Sequence, residues 1–403
     1  MGNKVLLLSW GIPPTVTGAA TVVANLAQQF CRKTMVLAGE KPFDAPPLSW
    51  NDNWPETHYV RFMWPFNQRG IRWWRLIQWP NMFWRCLRLV HHHNIDSIVV
   101  VFPDTHFLLA GYLTARLLRR RLFPYFHNTY LENRRGWPRL FARWLQGRVF
   151  AYAEHVFVMS DGMSDLYRER YPQLRKQSPL LHSFNEPLPP ANVPATVGSP
   201  MRLAACGTIN ATCDDAASRL GEAIATCPDT HLSVYGGTTT SHLRAIGLLR
   251  DGGECRAVSR EELLRCLGDA DVLILPHGFT GSMSPEEYQT IFPTKTIEYL
   301  MSGRPILAHS PPGCFLTRFL RENACALVVD RPDVSALREA LEQLRTDFSL
   351  RSRLVANALR TAARFRATAV AGEFRRVLGL PANEPSPSST THGQSPGSES
   401  RGS

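Results

Sequence analysis

The run Phe292-Pro293-Thr294-Lys295 leads into an apolar helical pattern, Ile297, Leu300 and Met301, which Gly303 ends. Proline at the start and glycine past the end are the usual punctuation of a helix. Lys295 falls in the first turn, where a cation opposes the helix dipole by about 0.3–1 kcal/mol. An anion held between the ammonium and the free backbone N–H groups reverses that sign, and phosphate is the obvious candidate. In the competing reading Lys295 points into water and pairs with Glu298, three residues on, for about 0.2–0.5 kcal/mol. The residues alone leave both readings open. Lysine is otherwise scarce: the rest are Lys4, Lys33, Lys41 and Lys176, so Lys295 is alone in the C-terminal half.

The elements around Lys295 read as strand, loop, helix, strand. An apolar run at 272–275 ends at Pro276, a polar loop rich in Gly, Ser and Thr follows, and 305–309 reads as the next strand after the helix. This is the repeating unit of a parallel α/β sheet. The same alternation fills the chain. Strands are expected at 4–10, 34–38, 97–102, 124–127, 155–159 and 179–184, with helices from residue 19 or 20, over 106–119 with a basic run at 119–121, and over 138–153 and 161–171. Residues 186–200, EPLPPANVPATVGSP, form a Pro-rich linker. The pattern then restarts, with strands near 202–206, 231–235, 255–258, 272–275, 305–309 and 325–329. Helices close it at 350–364 and 367–378, after one on Val334, Leu337, Leu341 and Leu344 at clean helical spacing. Residues 381–403 are Ser, Pro and Gly without core residues and are expected to be disordered. The domains are therefore 1–185, a linker 186–200, and 201–380, whose last helices are free to pack back on the first domain. Two doubly wound Rossmann-like α/β domains facing across a cleft bind ligands at the strand carboxyl ends.

The chain has 403 residues with 44% hydrophobic content, enough for two full cores. Its net charge of +11 favours anionic partners: nucleotides, phospholipid surfaces or nucleic acid. The nine cysteines form no C-x-x-C pair and read as reduced, buried thiols. The first apolar run is too short for a signal peptide and no window of about 18 apolar residues spans a membrane, so the expectation is cytoplasmic. Residues 58–95 stand out, with Trp64, Trp73, Trp74, Trp79 and Trp84 interleaved with Arg61, Arg69, Arg72, Arg75, Arg85 and Arg88. Three readings compete: a surface on anionic headgroups through 61–92, a helical pair packed into the core, or stacking on nucleic acid. Nucleic acid is not expected as a partner. His91-His92-His93 cannot all face one side and have no evident Cys or carboxylate cluster beside them, so no metal site is expected.

The chain resembles the retaining GT-B glycosyltransferases of the large family 4 group, "glycosyl transferases group 1", over about residues 4–380. The resemblance rests on FPTKTIEYLMSGRPILA, on the loop from Pro13-Pro14 through Gly18-Ala19, and on Val156-Phe157-Val158-Met159-Ser160. It implies a C-terminal domain that binds a nucleoside-diphosphate sugar. Thr294, Lys295 and the adjacent N–H groups would hold the diphosphate, Glu298 would accept from the ribose hydroxyls, and Gly207-Thr208 would flank the site. Gly18 would allow close backbone approach to the phosphate, and His127 resembles the histidine that reaches the sugar from the acceptor side. Lys295 and His127 are thus the catalytic candidates. The family's glutamate facing the transferred sugar is replaced by Thr290, with Glu286 and Glu287 just before it. Members also carry an Arg and a Lys after the glycine matching Gly207, whereas Thr208-Ile209-Asn210-Ala211-Thr212 brings no cation before Arg219. The implied activity is metal-independent sugar transfer, with retention, to a glycan or lipid-linked glycan; no cofactor beyond the donor is expected. The alternatives are a catalytically degenerate GT-B protein that serves as a nucleotide-binding partner or scaffold and, less well supported by FPTKTIEYL, a nucleotide-sugar epimerase.

Overall fold

The structure, a computed structural model, describes residues 4–15, 17–41, 54–62, 72–102, 104–174, 176–250 and 252–381; for 41, 61–62 and 72–76 it describes the backbone. The N-terminal domain runs β1 (Val5–Ser9), α1 (Gly18–Ala27), β2 (Met35–Lys41), β3 (Glu56–Phe62), α2 (Arg72–His92), β4 (Ser97–Phe102), α3 (Thr105–Leu117), β5 (Arg121–Phe126), α4 (Trp137–Tyr152), β6 (Val156–Val158), α5 (Asp161–Arg170) and β7 (Gln177–Pro179). The C-terminal domain runs β8 (Met201–Cys206), α6 (Asp214–Thr226), β9 (Thr230–Tyr235), α7 (Thr240–Ala245), β10 (Glu254–Arg256), α8 (Arg260–Asp269), β11 (Val272–Pro276), α9 (Pro285–Thr290), α10 (Lys295–Met301), β12 (Ile306–His309), α11 (Phe315–Glu322), β13 (Leu327–Val329), α12 (Val334–Thr346) and α13 (Phe348–Ala362). A 3-10 turn, Ala363–Phe365, leads into α14 (Ala367–Leu378).

Each domain is built on a parallel sheet. The orders are β3-β2-β1-β4-β5-β6-β7 and β10-β9-β8-β11-β12-β13. β1, β4 and β11 are buried along their whole length and apolar apart from Ser9 and Ser97 at strand ends, as strands covered by helices on both faces must be. Strand order reverses between β1 and β4 and again between β8 and β11, so the loops after β1 and β8 lie at the switch points where such sheets bind ligands. The fold is thus α/β with two doubly wound sheets, as the alternation predicts.

The sequence and the structure part at several elements. Among the described residues, 58–95 hold a strand and one helix rather than a helical pair. They begin in β3, an edge strand, and continue after the segment 63–71 as the single helix α2, which runs through Pro80. Trp64 and Arg69 lie outside the described residues, as do the side chains of Arg61, Arg72, Trp73, Trp74 and Arg75 and the tail from 382. Trp79 packs on the core and donates its indole N–H to the carbonyl of His106 at 3.2 Å. The basic run at 119–121 is divided: Arg119 adopts φ +52° beyond α3, and Arg121 already begins β5. The strand expected at 179–184 ends at Pro179, because the chain then leaves the sheet for the other domain; Phe184 makes one isolated bridge to Arg366.

The linker is not loose. Arg351 of α13, 2% exposed, donates to the carbonyls of Pro194 at 3.2 Å and Ala195 at 2.8 Å, and to Leu344 at 2.9 Å and Arg345 at 3.0 Å. After α13 the chain crosses back. Ala371, Phe374 and Leu378 of α14 share one core with Val22, Phe30 and Phe157 of the first domain. The Phe374 ring stacks on Phe157 at 5.5 Å and meets Phe30 edge-on at 5.6 Å. Phe374→Ala is therefore expected to lower unfolding stability by about 3–5 kcal/mol, measured by urea denaturation.

Candidate active site

Loops from both switch points converge on α10. Thr17 caps α1 by accepting the Ala20 N–H at 3.2 Å, so the helix begins at Gly18, directly opposite the C-terminal domain. A Cβ on Gly18 would lie 2.9 Å from Thr294 Oγ1, so only glycine lets the two domains meet at this separation. On the other side Gly207, at φ +78°, turns the chain after β8, and a Cβ there would touch Lys295 Cδ at 3.5 Å. Gly18, Thr294, Lys295 and Gly207 are therefore one neighbourhood. Thr208 beside it is exposed.

Lys295 is half-buried at the first position of α10, a helix that no side chain caps. Among the described residues no carboxylate stands within ion-pair distance of its ammonium. The pairing with Glu298 is not made. Glu298 Oε1 instead accepts from Arg260 Nη1 at 2.9 Å, and Arg260 Nε donates to Glu186 at 2.5 Å. Burial pushes the Glu298 carboxyl pKa up, and Arg260 pulls against that shift. Its second oxygen, Oε2, is buried with no hydrogen-bond partner. An acceptor left in this state costs about 1–3 kcal/mol until a donor fills it. Arg260 itself is held charged: burial opposes its charge, but Glu186 and Glu298 outweigh it.

The cations absent from the stretch after Gly207 are not replaced by a loose arginine from Arg219 or Arg260. Arg219 is tied to Asp215 at 3.0 Å, donates to His309 Nε2 at 2.9 Å and lies over the Phe279 ring. Thr290 is buried and gives its hydroxyl to the Glu286 carbonyl at 2.9 Å, while its own carbonyl accepts from Ser160 Oγ at 2.5 Å.

His127 follows β5, buried against Tyr125 at a ring distance of 4.3 Å. Its Nε2 has no partner. Burial, reinforced by His182 with its ring centre 6.3 Å away, holds the His127 pKa well below the ordinary range, so the ring is neutral. His182 is likewise lowered, to about 4, by burial.

The contact that brings these loops together involves Glu287. Ser284-Pro285-Glu286-Glu287 has the spacing of a capping box, in which Glu287 would reach back to the Ser284 N–H. Ser284 does accept the Glu287 N–H, at 3.2 Å, but its own N–H donates to Asn133 of the other domain at 3.0 Å. The fully buried Glu287 carboxylate also crosses over. It accepts from Asn128 Nδ2 at 2.5 Å, the Thr129 N–H at 2.7 Å, Thr129 Oγ1 at 2.6 Å and Asn133 Nδ2 at 3.0 Å. The loop it holds begins one residue after His127. Glu286 adds a more exposed bridge to Arg170 at 2.8 Å. No sequence signal marked Glu287 or Arg260, because an acidic pair at a helix start and an Arg after a serine cap are ordinary helix chemistry.

Comparison with known proteins bears on the fold that carries these residues. Residues 17–178 match the family model described as the glycosyl transferase 4-like domain. The chain shares its fold with HepE of Anabaena in complex with UDP and glucose, at 15% identity and a TM-score of 0.68 over 94% of this chain and 99% of that one. Sucrose-phosphate synthase from Thermosynechococcus elongatus aligns at 14% identity and a TM-score of 0.68, over 93% of this chain and 98% of that one. The lipopolysaccharide outer core galactosyltransferase WaaB, in its apo form, aligns at 10% identity and a TM-score of 0.60, over 93% and 99%. No curated protein matches by sequence.

Removing the Glu287 carboxylate strands several buried donors, whereas removing Glu286 breaks one more exposed pair. Glu287→Ala is expected to cost about 2–4 kcal/mol in urea unfolding and Glu286→Ala under 1 kcal/mol; equal effects would show that the crossing carboxylate does not hold the domains. Residues 17–178 are thus similar to the glycosyl transferase 4-like domain, and the chain as a whole shares the GT-B fold that FPTKTIEYL and the loop before Gly18 imply.

Proposed function

We propose that this protein transfers a sugar from a nucleoside-diphosphate donor to a glycan or lipid-linked glycan, with retention of configuration and without a metal. The observation that carries this reading is the Lys295 ammonium, unpaired among the described residues, at an uncapped helix start whose Thr294 faces Gly18 and whose Lys295 stem lies against Gly207. A departing diphosphate builds negative charge as the glycosidic bond breaks, and fixed donors aimed at that charge lower the barrier. Lys295, Thr294 and the neighbouring N–H groups are those donors. The orphaned Glu298 Oε2 accepts a ribose hydroxyl, and neutral His127 meets the sugar from the opposite domain through Nε2. The UDP and glucose in the HepE complex and the galactosyltransferase activity in WaaB's name support a nucleotide sugar as donor. In this reading the acceptor attacks on the face that the diphosphate leaves, and an oxygen of the leaving diphosphate takes its proton; Glu287, enclosed by four donors, and Glu298, paired with Arg260, are poorly placed to serve as a nucleophile instead.

A membrane-facing acceptor fits a surface other than the one its tryptophans suggest. Of the stretch 61–92, Trp79 is packed on the core while Trp84 is exposed beneath Arg88. On α4, however, Trp137 is 85% exposed, and Leu140, Phe141 and Trp144 are exposed with it. At about 100° per residue these four share one stripe, and the exposed Arg139, Arg143 and Arg148 lie on the same helix. Such a helix lies flat on anionic headgroups. Among the described residues no helix is long and apolar enough to cross a membrane.

The test of chemistry is turnover of UDP-, GDP- and ADP-sugars by the wild type and by Lys295→Ala, in excess EDTA, with the product anomer assigned by NMR. The expected result is retained configuration, EDTA resistance and a loss of at least about 100-fold in the variant. Absence of any turnover, with donor binding intact, would instead favour the scaffold reading. Trp137→Ala with Trp144→Ala is expected to abolish sedimentation with phosphatidylglycerol vesicles while leaving the melting midpoint nearly unchanged; undiminished sedimentation removes α4 from the proposal.

A further inference from the structure

Three ligand-type side chains meet at the far end of the N-terminal sheet from the cleft. Glu56 and His58 are two residues apart on the edge strand β3 and so share one face. Val60, next on that face, packs into the core beneath Met82, Cys86 and Val90 of α2. α2 runs back along the strand, and the His93 N–H bonds the Leu89 carbonyl at 3.0 Å, continuing the last turn. The helix thereby delivers the His93 imidazole to the start of β3.

His93 Nε2 stands 3.7 Å from Glu56 Oε1, and His58 Nε2 stands 2.9 Å from the same oxygen. The three ligand atoms all lie within 4.8 Å of one another. Despite this closeness neither ring nitrogen makes an aligned hydrogen bond, and the His93 side chain is only 8% exposed. A simple Glu56–His58 surface pair therefore leaves His93 Nε2 buried and unsatisfied, at the cost such atoms carry. An ion bound at about 2.0–2.2 Å in a tetrahedron sets its ligand atoms roughly 3.3–3.5 Å apart, close to the spacing found here. The carboxyl end of α2 adds partial negative charge beside the site.

We propose that Glu56, His58 and His93 bind one divalent transition-metal ion of the zinc class, with water completing the coordination. Two imidazoles and one carboxylate suit zinc over magnesium or calcium, which prefer all-oxygen shells. The ion ties the end of α2 to an edge strand that otherwise has one open side. It is a structural site, at the opposite end of the sheet from Lys295 and His127, and it is independent of the transfer reaction.

The test uses the full chain without an affinity tag, stripped with EDTA and dialysed. Titration with ZnCl2 by calorimetry is expected to give one equivalent bound and a raised melting midpoint, and CoCl2 a visible absorption band of four-coordinate cobalt. His58→Ala, at a partly exposed position that tolerates truncation, and Glu56→Gln are each expected to weaken binding at least tenfold; His93→Ala is expected to abolish it. Failure of the wild type to bind zinc, or equal binding by the His58→Ala and Glu56→Gln variants, overturns the proposal. EDTA lowering the melting midpoint while sugar transfer at 25 °C continues separates this site from the cleft chemistry.

Discussion

One buried carboxylate sets the relation between the two domains. Glu287 leaves its own helix start, crosses to the N-terminal domain and is surrounded there by Asn128, Thr129 and Asn133. A buried charge without partners is untenable, and charged hydrogen bonds contribute about 1.5–3 kcal/mol each, so this arrangement is stable only when the two loops are in register. Register at Glu287 is register at the site. The loop it holds follows His127 directly, and its own helix leads by four residues into Thr294 and Lys295. The close approach of Gly18 to Thr294 is then a geometric consequence rather than a separate interaction.

The electrostatics of the cleft follow from which charges are already answered. A net charge of +11 offers arginine enough to line an anion site. Yet Arg260 is enclosed by Glu186 and Glu298, and Arg219 by Asp215 and His309. Lys295 is different because no carboxylate among the described residues pairs with it, and its stem lies against Gly207. In the proposed function a diphosphate is the group that answers its compact ammonium.

Much of this was legible in the chain. The buried strands carry unbroken apolar runs, so the alternation of 97–102, 156–158 and 272–275 with amphipathic helices announces parallel sheets. FPTKTIEYL announces the helix that presents Lys295. What was not legible depends on contacts between residues far apart in sequence. Residues 56–62 alternate weakly, because β3 is an edge strand, and the tryptophans that follow drew attention away from it. Glu287 looks like a capping residue because locally it could be one; only the approach of Asn133 to the Ser284 N–H redirects it. Glu298 looks like a partner for Lys295 at helical spacing, and Arg260, 38 positions earlier, is what takes it. The stripe on α4 has helical spacing but no sign in the sequence of which face is left uncovered.

The two passages of chain between the domains lie side by side. The Phe184 N–H bonds the Phe365 carbonyl at 3.2 Å, and the Ala367 N–H bonds the Phe184 carbonyl at 2.8 Å. Outgoing and returning segments are thus fastened into one short ribbon. A body joined to another at a single ribbon pivots about it, and displacement grows with the lever arm. Asn25 Nδ2 donates to the Ser183 carbonyl at 2.6 Å, one residue from the pivot. About such a pivot the contacts of Glu287 with Asn128 and Thr129 and those of Asn25 with Ser183 have different lever arms, so distance from Phe184 ranks how far a given rotation would part them.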